Sequence, residues 1–134
     1  MAARAGVIVY GNAVRGASFP VLARVTGMNN QPITQASVAS IAYKVTDSQS
    51  GQVLSTGSLS VASTVYNQLQ QGNGWSESAA VDVSINDGLT GWNFLWVVPG
   101  SLTSPPGSLL TAQATLTMVD GSLVVVKADR VKLG

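Results

Sequence analysis

Apolar and polar positions alternate with period two through much of this chain. Val21, Ala23 and Val25 alternate with Leu22, Arg24 and Thr26, and Ile41, Tyr43 and Val45 with Ala42, Lys44 and Thr46. Val81, Val83 and Ile85 alternate with Asp82 and Ser84. The longest run sets Leu110, Ala112, Ala114, Leu116 and Met118 against Thr111, Gln113, Thr115 and Thr117. One apolar face repeating every second residue is the mark of a half-buried antiparallel strand. Turn residues separate the runs: Gly27 to Pro32, Asp47 to Gly51, Asn86-Asp87-Gly88 and Thr103 to Gly107. Asp120-Gly121 stands between two apolar runs and predicts a two-residue hairpin loop with positive φ at both positions. Residues 63–71 break the period. A Ser/Thr cap followed by Val65, Tyr66 and Leu69 at helical spacing predicts one or two helical turns there.

About seven strands at near-regular spacing predict an all-β fold, an immunoglobulin-like antiparallel β-sandwich with one short helical segment. Ile41, Tyr43, Val45, Val83, Trp92, Leu110, Ala112 and Leu116 are its expected shared core. At 134 residues the chain is read as one sandwich domain over 18–134, preceded by residues 1–17. In that leading segment Val7, Ile8, Val9 and Tyr10 are strand-like but flanked by Gly6, Gly11 and Gly16. They form an extra edge strand of the same sheet, an extended arm that adds to a neighbouring subunit by strand pairing, or a disordered tail.

Composition narrows the chemistry. The chain has no His and no Cys, and seven Lys/Arg plus six Asp/Glu make it 10% charged, against about 25% for a soluble domain. His is the usual proton shuttle near neutral pH, so most catalytic schemes are closed and the expectation is no enzyme, no metal and no cofactor. Glu77, Asp82, Asp87 and Asp120 remain as acids, but Asp87 and Asp120 precede Gly as turn formers, and no pair recommends itself for glycoside hydrolysis. No loop is dense enough in ligands for calcium. A net charge of +1 with scattered cations argues against nucleic acid as partner. No apolar run reaches the ~18 residues of a membrane span, and the apolar stretch near Met1 is too short for a secretion signal. The absence of Cys fits a reducing compartment. Ser, Thr and Gln take the place of charges on the outer faces.

The densest aromatic run, Trp92-Asn93-Phe94-Leu95-Trp96-Val97-Val98, is apolar on both faces. Three readings stay open: an ordinary core strand, an aromatic platform for sugar rings, and a strand with one face buried against a partner, where Trp is a common anchor. Buried rings at Trp75, Trp92 and Trp96 favour a protein contact, and exposed coplanar rings favour a glycan.

Gln31-Pro-Ile-Thr-Gln-Ala-Ser-Val38 leading into Ile41–Val45, Gly91-Trp-Asn-Phe94 before Val98-Pro-Gly, and the hairpin around Asp120-Gly121 together resemble small Ig-like structural proteins of tailed bacteriophages and prophages. The resemblance covers most of residues 20–127 and implies a virion component assembled in the host cytoplasm. A head decoration (cement) protein is the first expectation; a neck, tail or baseplate Ig-like module, or a carbohydrate or cell-surface binding module, is the alternative. It implies as partners other copies of the chain, as a homo-oligomer and by shell symmetry a trimer, together with a capsid or tail protein. Val7, Ile8, Val9, Tyr10 and Trp96 are the candidate interface residues.

Overall fold

The computed structural model describes residues 3–9, 12–27, 31–72, 90–103 and 109–133, with side chains from residue 14 onward. Its strands are β1 (Ala3–Val9), β2 (Asn12–Ala13), β3 (Phe19–Ala23), β4 (Val38–Asp47), β5 (Val53–Leu59), β6 (Val65–Gln70), β7 (Trp92–Val98), β8 (Leu109–Met118) and β9 (Leu123–Leu133). They form two sheets. The larger has the order β1-β9-β8-β4-β5, with β2 also on β9; the smaller has the order β3-β7-β6. The chain is an all-β, Ig-like sandwich. Pairing is antiparallel except at the start of the chain, where β1 and β2 both run parallel to β9.

The period-two runs become the inner faces. Every second residue of β8 from Leu110 to Met118 is buried, and so are Val124, Val126 and Ala128 of β9. They meet Val21, Ala23, Phe94, Trp96 and Val98 of the smaller sheet in one core. Of the expected core, Ile41, Val45, Trp92, Leu110, Ala112 and Leu116 are buried. Tyr43 is half-buried against that core, and Val83 lies outside the described residues, as does the expected strand around it. The outer positions of β8 are Thr111, Gln113, Thr115 and Thr117, so hydroxyls and an amide take the place of charges on this strand.

Two local expectations are corrected. The helix expected over 63–71 is a single turn, α1 (Val61–Thr64), and residues 65–70 are the strand β6. Val65 pairs with Phe94 and Gln70 with Trp92. Three apolar residues at helical spacing cannot hold an isolated helix in water, whereas pairing with β7 buries Val65 completely. Gln35 secures the changeover, its Nε2 donating to the carbonyls of Ala62 and Val65 at 3.1 and 2.9 Å. The β8–β9 connection is also not a two-residue loop. Met118 N donates to Ser122 O and Gly121 N to Met118 O, both at 2.9 Å, so Val119, Asp120 and Gly121 form a three-residue loop. Only Gly121, at φ 89°, takes the left-handed conformation there. This is a tight turn closed by a left-handed Gly, which matches the twist of the two strands.

Candidate interaction surface

The aromatic run lies on β7, the middle strand of the smaller sheet. Trp92, Phe94 and Trp96 point inward and are 4%, 0% and 5% exposed. Trp96 meets Tyr43 across the sandwich in a tilted pair with ring centroids 5.5 Å apart, and Trp92 meets Tyr66 edge to face at 5.0 Å. Trp96 is therefore corrected from interface residue to core residue: its ring fills the space between the sheets and is not presented to a partner. The sugar platform loses both of these rings. Trp75 lies outside the described residues. On the opposite face of β7, Val97 is 52% exposed beside the exposed Pro20.

Asn93 breaks the apolar run and is buried with every polar atom engaged. Its Oδ1 accepts from Val25 N at 2.7 Å, and its Nδ2 donates to the carbonyls of Val25 and Ile33 at 3.0 and 3.4 Å. The side chain thus acts as a short piece of strand, clamping the chain beyond β3 where ordinary ladder pairing has stopped. The sequence pattern places this Asn within an apolar strand and gives it no role of its own. The signal was its polarity inside the run.

The N-terminal candidates are placed on the larger sheet. Val7 pairs with Val126, Ile8 with Lys127 and Val9 with Ala128, so of the readings open to it this backbone takes the edge-strand one within its own chain. Tyr10 lies outside the described residues, as do Glu77, Asp82 and Asp87.

A second surface feature was not legible in the sequence. Opposite Thr111 of β8 the strand β9 carries a bulge, because Leu110 pairs with Val131 while Ala112 pairs with Ala128. Asp129 and Arg130 occupy the extra position, and Arg130 has φ 52°, a conformation that costs a non-Gly residue about 1 kcal/mol or more. Thr111 Oγ1 sits 2.6 Å from Ser48 Oγ and donates to Asp129 Oδ1 at 3.5 Å. Lys127 Nζ stands 3.8 Å from the same carboxylate. Register puts Lys44, Gln113 and Lys127 in one row across β4, β8 and β9, with the two cations about 10 Å apart at strand spacing. Lys44, Lys127, Asp129 and Arg130 line a shallow concavity of about 330 Å³. Charges that look scattered along the chain are thus gathered at one end of the outer face, three cations together with the carboxylates of Asp47 and Asp129.

At the other end, Asp120 accepts hydrogen bonds from Ser122 Oγ at 2.6 Å and Ser122 N at 2.9 Å. These bonds, the hydroxyl first, hold its carboxyl below the usual carboxylate range. Its role is to shape the loop. Among the described residues no three His, Cys, Asp or Glu side chains gather into a metal site, and no helix is long and apolar enough to cross a membrane. No family model, no curated protein and no solved structure matches this chain.

Proposed function

We propose that this chain is a non-enzymatic structural protein of a phage virion, a decoration (cement) protein that binds the major capsid shell. The observation that carries this reading is the burial of Trp92 and Trp96. With both rings buried, the sandwich offers a partner a broad Ser/Thr surface, a small charged concavity and sheet edges. Such a surface suits many shallow, repeated protein contacts better than capture of one small ligand. A symmetric shell multiplies each weak contact by avidity. In this reading the chain works as a homo-oligomer with a capsid protein as partner, needs no cofactor, nucleic acid or membrane, and joins the virion in the host cytoplasm. The resemblance to Ig-like phage proteins in residues 20–127 points the same way.

The test is binding to purified phage shells stripped of decoration. Saturable, stoichiometric occupancy by the purified chain supports the reading. Absence of shell binding together with binding on a glycan array hands the function to a carbohydrate or cell-surface module. Binding to isolated tails or baseplates, and not to heads, moves it along the virion.

A further inference from the structure

We propose that β5 is the seam through which a second copy of this chain adds antiparallel to the larger sheet. Among the described residues β5 pairs on one side only, with β4. Thr56, Gly57 and Ser58 are exposed, so among the described residues nothing pairs with the outer side of this strand. An unprotected edge is a template for another strand, and sheets commonly blunt such edges with charge, proline, bulges or short length. The other outer strands carry such devices. β1 contains Arg4 and a register shift at Gly6, β3 contains Pro20, and β6 loses register between Val65 and Gln70. β5 is seven residues long, without charge or proline. Its one irregularity, at Leu54, leaves Ser55 to Leu59 in even register with β4.

The occupant that fits is the same strand. In an antiparallel pair centred on Thr56, the two Thr56 residues face each other, Ser55 faces Gly57, and the apolar ends Val53 and Leu59 meet. Thr–Thr and apolar cross-strand pairs are both favourable. No like charges oppose, and a net charge of +1 puts little long-range repulsion between copies. The edge is also held ready. The Tyr43 ring lies over Gly57, where a Cβ would sit 2.7 Å from a ring carbon, and Tyr43 Oη is 3.2 Å from Ser55 Oγ. Backbone hydrogen bonds then supply affinity, as in strand addition generally. A seam of this size is small and weak on its own, and it gains when copies are held side by side on a scaffold. This deepens the decoration reading and rests on it for its setting, while its own test needs only the purified chain.

Sedimentation equilibrium on the full chain, from about 10 µM to about 1 mM, reads the association. The wild type is expected to form a dimer whose share rises with concentration. Thr56→Lys and Thr56→Glu, each placing like charges face to face, weaken it at least about tenfold. An equimolar mixture of the two restores a dimer. Ser40→Lys, on the exposed face of β4 away from the edge, leaves association unchanged, and circular dichroism confirms that each variant is folded. A wild type that stays monomeric, or Thr56 variants that dimerise as the wild type does, overturns the seam. Shell binding by a monomeric wild type removes β5 pairing and leaves the decoration reading intact. Dimerisation through β5 without shell binding does the reverse.

Discussion

At the residue scale, a few side chains do work that their neighbours cannot replace. Asn93 satisfies Val25 N–H and two carbonyls inside the protein. Asn93→Ala strands those groups away from water, and chemical denaturation should show a loss of about 1–3 kcal/mol or more. Leu116, fully buried between the sheets, makes a different case: Leu116→Ala removes packing without orphaning a polar group and should cost about 2–5 kcal/mol. Asp120 is fully exposed, and its pKa is lowered by the Ser122 hydrogen bonds. A carboxyl depressed in the folded state contributes stability above its unfolded pKa, near 3.9, and loses it as pH falls through the lower folded value. Thermal melts of wild type and Asp120→Asn should therefore differ at pH 7, and the gap should narrow as acid protonates the carboxyl. A gap that stays constant through the acid range would place the effect of Asp120 elsewhere.

At the scale of elements, close approaches decide what each strand tolerates. Gly57 exists so that the Tyr43 ring can cross β5. Gly57→Ala forces that half-buried ring to shift, and urea titration should show destabilisation of about 1 kcal/mol. Gly121 is a separate requirement, since its positive φ closes the β8–β9 loop. The strand β6 shows how tertiary pairing overrides local spacing. Val65, Tyr66 and Leu69 fit a helical face, yet Val65 lies fully buried against Phe94 of β7. The bulge at Asp129–Arg130 is a second override, because nothing in the run Lys127-Ala-Asp-Arg-Val131 announces that two residues oppose one.

At the scale of the whole molecule, the two ends of the chain complete one sheet. β1 and β2 together cover the outer edge of β9. Deletion of residues 2–16 strips that edge from an eleven-residue strand, leaving a long unpaired ladder of the kind that aggregates. Size-exclusion chromatography of the truncated chain should show large soluble aggregate where the intact chain elutes as small species. Clean elution as small species would mean that this segment contributes little to covering β9. Aggregation of the truncated chain would give the two edges of the larger sheet different uses: β1 closes one within the chain, and β5 is left for a second copy.

Residue order alone determined the all-β class, the buried faces of β4 and β8, and the turns at Asp47 and Asp120. Each of these rests on local chemistry: period-two alternation has one solution that buries an apolar face, and Asp and Gly within a short polar stretch favour a turn. The tertiary structure decided what depends on partners distant in sequence. It turned Trp92 and Trp96 inward, made residues 65–70 a strand, and paired β1 parallel to β9 across more than a hundred residues of chain. It also gathered Lys44, Lys127 and Arg130 onto one end of a sheet. Alternation says that a strand has two faces; which face meets the core, and which edge stays open, is settled only when the other sheet and the neighbouring strands have taken their places.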